Sequence, residues 1–428
     1  MSGSSAPGAI SVSARSLAPD LARGAMLLFI ALANAPGFLY GHPKGVRGYR
    51  IPDAIPDKVV VLLQMVAVDG RAYPMFAFLF GYGMIQMLRR HTSVGVDPVT
   101  IRKLIRRRGW WLVTFGFLHA LLLFSGDILG AYGALGVMLA GVLTRVSDRT
   151  LLLAAAVWMV PVTTLGAVAH SVSPDHGTAA TTTNAVMAVA DRVGEWLPGV
   201  LLNSVINLVP PLLLGIWAAR RRVLDDPERH RRLLVRVGVL GAGLAVGGGL
   251  PMALMGADWW QVPSAEALVL VAAVHTVTGY AGGIGYAAIA GLVAIRVGQR
   301  HGRVVTALAA CGQRSLTSYL LQSVVLVSVL ASYGGGLGDH LTVAPVAVVA
   351  TATWAMTVLL AEFMRRRGQR GPAEVLLRRL TYREPTVGRT TRQPTAVARA
   401  HDRSHRGRQA GISGPASRPG FRHPVRRS

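Results

Sequence analysis

The 428-residue chain is 51% hydrophobic and only 15% charged, with a mean hydropathy of +0.42. A soluble globular domain carries about 25% charged residues, and several apolar runs here reach about 18–20 residues, enough to cross a hydrocarbon core of about 30 Å. A soluble enzyme is excluded; the expected fold is all-α, a polytopic transmembrane helical bundle of about ten spans.

The net charge is +25, and Arg carries it, since Lys44, Lys58 and Lys103 are the only lysines. From Arg365 onward, 17 Arg face only Glu374, Glu384 and Asp402. Such a juxtamembrane segment is expected to meet anionic lipid at the cytoplasmic leaflet; no nucleic-acid partner is expected. The single Cys311 allows neither an intramolecular disulfide nor a cysteine metal set, so no metal site is expected.

In chain order, residues 1–18 are Ser/Ala/Gly-rich and expected to be disordered. The first apolar run, 21–40, contains Ala33-Asn34-Ala35, which resembles a signal-peptidase site, although the spans that follow make an uncleaved anchor sufficient. Further spans are expected at 57–88, 109–125, 128–144, 150–170, 198–219, 235–256, 265–296, 315–332 and 342–364. The 57–88 run is broken by Asp69-Gly70-Arg71 and Pro74, which predicts a short helix, a kink and then a second helix. The 265–296 run holds Gly279, Gly282, Gly283 and Gly285, small residues that permit close helix packing. The membrane domain is expected over 19–382, with 383–428 a disordered basic cytoplasmic tail.

Orientation follows from the basic residues of short loops. The 89–108 and 220–236 segments each hold seven Lys or Arg, whereas 171–197 has only Arg192 and 257–264 and 333–341 have none. Ten spans with both termini cytoplasmic fit this alternation. The exception is 41–56, where Lys44, Arg47 and Arg50 fall on the expected outer side.

Ionisable residues inside spans are costly, by about 2.5–3.5 kcal/mol each on insertion scales, and are the first places to seek function. His119 lies eight residues before Asp127, about 12 Å along a helix, which places His119 in the outer half of the membrane. A neutral imidazole there can take a proton from a hydroxyl or amine nucleophile; the competing reading is a histidine packed between helices. His275 is expected to make a polar interhelical contact. Asp69 and Arg71 flank the kink, where they either pair or line a vestibule. Asp20 and Arg23, at i and i+3, share a helical face and are expected to form an ion pair. No nucleophile elbow, P-loop or dinucleotide fingerprint occurs.

Four segments carry a likeness: Asp20-Leu21-Ala22-Arg23-Gly24, Phe76-Ala77-Phe78-Leu79-Phe80-Gly81-Tyr82-Gly83, the His119 to Asp127 stretch after Arg106-Arg107-Arg108, and Cys311-Gly312-Gln313-Arg314-Ser315-Leu316-Thr317-Ser318-Tyr319-Leu320-Leu321-Gln322. A fifth, running from Gly371-Pro372-Ala373-Glu374 to Tyr382, resembles a closing signature. In order and spacing they resemble the YeiB-like family of bacterial membrane proteins, the domain of unknown function 418. That family is distantly similar to membrane acyltransferases that modify surface polysaccharides. Many of those place a catalytic histidine near the end of the first span, where this chain has Asn34, which cannot act as a base.

The resemblance implies a multi-pass protein of the bacterial plasma membrane that moves an acyl group to an extracytoplasmic or lipid-linked acceptor. His119 is the candidate base, and Asp127 orients it or the acceptor. Asp20, Arg23, Arg71 and Arg314 are candidates for binding substrate, and Arg23 or Arg106–Arg108 for binding donor phosphates. No bound cofactor is expected; an acyl-coenzyme A thioester is the candidate donor and membrane lipid the expected partner. A transporter lined by Asp69, Arg71 and His275, or a non-catalytic scaffold, are the alternatives, and the oligomeric state is not legible. Reporter fusions at Gly95 and Arg229 are expected to read cytoplasmic and one at Thr182 extracytoplasmic; a cytoplasmic Thr182 overturns the ten-span reading.

Overall fold

The computed structural model describes residues 16–142, 145–171, 182–298 and 301–382. The expectations for residues 1–15, for part of the 171–197 loop and for the basic tail at 383–428 lie outside them. Within them, the first helix begins at Leu17, inside the 1–18 segment expected to be disordered.

Apart from one antiparallel bridge between Lys44 and Arg50, the described residues form helices and their connections. The first is α1 (Leu17–Asn34), followed by α2 (Ile55–Ala67) and α3 (Ala72–Ser93), which divide at the expected break. Next come α4 (Pro98–Leu122), α5 (Leu129–Leu139) and α6 (Asp148–Ser171). After them α7 (Ala185–Leu202) leads through a π-helical segment, Asn203–Asn207, into α8 (Val209–Arg220). The long pair α9 (Arg231–Gly256) and α10 (Ala265–Val297) precedes α11 (Arg303–Gln313) and α12 (Ser315–Leu330). A single turn, α13 (Leu337–His340), then α14 (Val343–Arg366) and α15 (Pro372–Tyr382) complete the domain.

Each expected apolar run falls on a helix or a helix pair. Among the described residues, six stretches can cross a membrane by length and composition, and a seventh is the pair Val186–Asn207 and Val209–Arg220, bent by 50°. The other three expected spans are α5 and α12, which are short and apolar, and α4, whose first half carries Arg102, Lys103 and Arg106–Arg108. The basic stretch expected as a loop at 89–108 is therefore mostly helix, capped by Asp97 on the Thr100 N–H at 3.0 Å. Large apolar side chains stand exposed on α6 (Leu153, Val157, Val160), α9 (Val239, Leu240) and α14 (Val348, Leu359), as lipid-facing surfaces require.

Between apolar helices in lipid there is little hydrophobic drive, so close packing and hydrogen bonds must hold them. Glycines supply the closeness. A Cβ at Gly24 of α1 would strike the Leu308 carbonyl of α11, and one at Gly312 would strike the Asp20 carbonyl of α1. The motifs around Asp20 and Cys311 thus meet backbone to backbone. Likewise Gly81 of α3 abuts the Leu212 carbonyl of α8, and Gly215 of α8 abuts that of Phe78.

Two groups of connections are held by separate sets of bonds among the described residues. In one, Arg50 donates to the Leu341 carbonyl at 3.1 Å, His42 contacts the Asp339 carbonyl at 2.8 Å, Lys58 meets Asp258 at 3.2 Å, and Ser332 donates to the Thr182 carbonyl at 3.0 Å. In the other, Gln86 donates to Asp225 at 2.7 Å, Ser16 donates to the Leu224 carbonyl at 2.7 Å, and Arg220 pairs with Asp148 at 3.0 Å. In the 41–56 segment, Arg47 pairs with Asp69 and Arg50 is taken up by Leu341 and Asp53.

Glu374, from the closing motif, accepts from the N–H groups of Leu316 (2.8 Å) and Thr317 (3.2 Å) and from the Thr317 hydroxyl (2.5 Å). It thereby caps α12 from a distant segment, a role worth about 1 kcal/mol. Truncation after Tyr382 is expected to leave the folding midpoint in detergent unchanged. Truncation after Gly371, which removes this cap and α15, is expected to lower it; equal midpoints refute the capping role.

Candidate functional site

Asp127 lies just ahead of α5, where a short polar side chain satisfies the helix start. Its Oδ2 accepts from the Gly130 N–H at 2.8 Å and from Trp196 Nε1 of α7 at 3.4 Å. Its Oδ1 is turned to His119 Nδ1 at 3.1 Å, with both side chains fully buried. The two atoms are at ion-pair distance but not aligned as a hydrogen bond, and neither has another partner among the described residues.

The ~12 Å that eight residues span along a helix is not the distance between these two side chains, which are in contact. The chain leaves α4 at Leu122 and turns before α5, and the reversal brings the two side chains into contact. Gly116 makes this possible, because a Cβ there would collide with Asp127 Oδ2 and the Gly130 backbone.

His119 has a further neighbour that the residue order does not single out. Its Nε2 lies 2.8 Å from Ser323 Oγ on α12. The Tyr319 ring, one turn earlier on the same helix, packs on the imidazole with centroids 4.9 Å apart. A serine inside the apolar run 315–332 gives no signal on its own; only the position one residue past the Gln322 motif pointed there.

Arg192 anchors α7 next to this site. Its guanidinium donates to the Leu121 carbonyl at 3.0 and 3.1 Å and to the Tyr333 hydroxyl at 2.8 Å, so a cation meets the C-terminal end of α4. Burial pushes the Tyr333 hydroxyl up, against the opposing pull of Arg192, and it stays a neutral acceptor.

The other candidates lie elsewhere. Asp20 and Arg23 form the expected ion pair at 3.1 Å, against the α11 backbone. Arg314 donates to the carbonyls of Ala310 (3.0 Å) and Gln369 (2.5 Å), tying α11 to the segment before α15. Arg71 belongs to a second buried cluster at the α2–α3 break. There Arg47 grips the Asp69 carboxylate with two nitrogens, His275 Nε2 lies 3.2 Å from Asp69 Oδ2, and Arg71 donates to the Asp69 and Ala245 carbonyls. Arg71 Nη1 also stands 2.9 Å from His275 Nε2, which cannot both accept from Arg71 and donate to Asp69. Burial works to lower the Arg47 pKa, but the Asp69 charge and hydrogen bond, with smaller pulls from Tyr73 and Tyr49, together outweigh it and the net shift is upward. Arg47 sits at φ +59, a left-handed conformation uncommon outside glycine, to reach Asp69. The expectation that Asp69 and Arg71 pair or line a vestibule is met in part, through the Asp69 carbonyl and not its carboxylate.

Residues 218–384 match the family model described as "Protein of unknown function (DUF418)". The chain is 26% identical over 411 residues to "Uncharacterized protein YeiB" of Escherichia coli strain K12, covering 88% of this chain and 100% of that one. It is 27% identical over 340 residues to "Uncharacterized protein YxaH" of Bacillus subtilis strain 168, covering 72% and 78%. The chain thus carries a DUF418 segment and is similar to YeiB over most of its length. The matched segment contains Ser323, Arg314 and Glu374, whereas His119 and Asp127 precede it. Among the described residues, no group of three or more His, Cys, Asp or Glu is placed to hold a metal.

Gly116→Ala is expected to destabilise the protein by about 1–3 kcal/mol through overpacking. Gly243→Ala on α9, where nothing lies within 4 Å of the new Cβ, is expected to be neutral or stabilising. Comparison of their unfolding midpoints checks this; an unaltered Gly116→Ala refutes the close contact.

Proposed function

We propose that this protein is an acyltransferase of the bacterial plasma membrane, moving an acyl group from an acyl-coenzyme A thioester to an extracytoplasmic or lipid-linked acceptor. The observation that carries the reading is the contact of His119 with a hydroxyl on one ring nitrogen and a carboxylate on the other, at 2.8 and 3.1 Å. Asp127 opposite Nδ1 favours the tautomer with its proton there, which leaves Nε2 to take a proton. As the acceptor attacks the acyl carbonyl, His119 gains charge, and Asp127 stabilises it in a water-poor site. Arg106–Arg108, toward the opposite end of α4, suit the donor phosphates.

Ten spans with both termini cytoplasmic are part of this reading. The two separate groups of loop contacts support alternate crossings, and the internal pairing of Arg47 and Arg50 removes the exception in the charge pattern. His119 then lies near the outer end of α4, three residues before Leu122. In this topology the tail at 383–428 faces anionic lipid.

The Asp69–Arg47–Arg71–His275 cluster favours a second reading, a transporter, because buried ionisable groups in a membrane domain mark ion and substrate paths. Substitution separates the two. In acyl-transfer assays at matched membrane abundance, His119→Ala and His119→Gln are each expected to lose about 10²–10⁴-fold, the usual contribution of a general base. Near-normal turnover of His119→Gln, which keeps hydrogen bonding but not basicity, refutes the role of His119. Solute flux abolished by Asp69→Asn in an acyl-transfer-inactive protein favours the transporter.

A further inference from the structure

We infer that Ser323 is a covalent nucleophile, carrying the acyl group as an ester between donor and acceptor. The inference rests on the acyl-transfer reading and adds a second chemical step to it. His119 Nε2, the atom that would take the acceptor's proton, already faces the Ser323 hydroxyl at 2.8 Å, while Asp127 Oδ1 backs Nδ1 at 3.1 Å. Nucleophile, base and carboxylate thus stand in the order that activates a serine, and such sets are recognised by geometry and not by chain position. Here they come from α12, α4 and the start of α5.

The space is equally informative. Ser323 is 4% exposed, and the His119 and Asp127 side chains are fully enclosed. An acceptor hydroxyl using His119 directly would need the position that the Ser323 hydroxyl occupies. The other contact of Ser323 Oγ, the Tyr319 carbonyl one turn back, is longer at 3.4 Å, so the hydroxyl is held chiefly by the imidazole. At the adjoining position, Gln322 is 2% exposed and neither end of its amide has a hydrogen-bond partner among the described residues. Buried polar groups are nearly always paired, and an unpaired amide in this turn of α12 has capacity for a ligand carbonyl.

In the first step the Ser323 proton passes to His119 Nε2, and Oγ bonds to the thioester carbonyl carbon. The carbon–sulfur bond then breaks, and the departing thiolate takes the proton from the imidazolium. In the second, an acceptor hydroxyl gives its proton to Nε2 and attacks the ester carbonyl. The bond to Oγ breaks, and Ser323 recovers its proton. No oxidant or reductant enters. An ester on the protein lets the donor thiol depart before the acceptor arrives, so one enclosed site serves a donor and an acceptor that approach from opposite sides.

The test uses the full-length protein in detergent and a small alkyl fluorophosphonate, which phosphonylates activated serines with loss of fluoride. Wild type is expected to gain one adduct, mapped to Ser323 by peptide mass. Ser323→Ala is expected to gain none at matched elution profile, and His119→Gln to label about 100-fold more slowly or less, as loss of a base requires. An adduct on the wild type does not depend on how any variant folds, and a merely structural serine would not form it. Absence of the Ser323 adduct on folded wild type overturns the inference, as does a Ser323→Ala variant that transfers acyl groups at the wild-type rate. A Ser323 adduct in a protein that transfers no acyl group from any acyl-coenzyme A sustains the nucleophile and refutes the acyltransferase reading.

Discussion

Helices that meet in lipid gain little from hiding apolar surface, since the tails are as apolar as the side chains. What they gain comes from contact distance, and in this chain the distance is set by residues without a Cβ. Gly24 and Gly312 bring α1 against α11, Gly81 and Gly215 bring α3 against α8, and Gly116 admits the start of α5 to the side of α4. Two of these contacts also position a polar group. The first places the Asp20–Arg23 turn beside the α11–α12 junction, and the last turns Asp127 toward His119. A larger side chain at any of these glycines would push the paired backbones apart, not merely crowd a neighbour.

Once helices are that close, polar groups between them are committed to one another. Removing one member of a buried charge pair strands the other, at about 3–5 kcal/mol. The α2–α3 break shows the logic. The chain leaves the helical ladder there, and the cluster around Asp69 draws on the 41–56 loop, α9 and α10 to satisfy what is buried. Gly279 and Gly283 of α10 lie against the Gly70 and Arg71 carbonyls, so the glycine-rich stretch of α10 fits the break. This arrangement accounts for Arg71 without any substrate, and Glu374 and Arg314 are likewise absorbed in holding α11, α12 and α15 together. Several charged motif residues thus serve as joints of the bundle, whereas Asp127 meets His119 in a small buried site.

That site differs from the joints in its chemistry. An imidazole between a carboxylate and a hydroxyl, enclosed by Trp196, Tyr319 and the start of α5, is an arrangement suited to moving a proton in a buried place. Its members are held by helix ends and helix faces, not by a flexible loop. Asp127 is fixed twice over by its bonds to Gly130 and Trp196, and Arg192 secures the adjoining end of α4.

Much of this was legible in the residue order. Apolar run length marked where helices lie, Asp69-Gly70-Arg71 marked the break, the i, i+3 spacing announced the Asp20–Arg23 pair, and the cost of burying an ionisable group singled out His119, Asp127 and His275. These are local properties, decided by spacing along the chain and by the bilayer as solvent. Which of those residues touch was decided only in three dimensions. Eight residues of helix span about 12 Å, but the turn after Leu122 makes His119 and Asp127 neighbours. Ser323 carried no mark beyond its place after the Gln322 motif, and Arg47 none beyond its breach of the charge alternation, because a serine in an apolar helix and an arginine in a loop are each ordinary until a distant stretch of the chain supplies the partner.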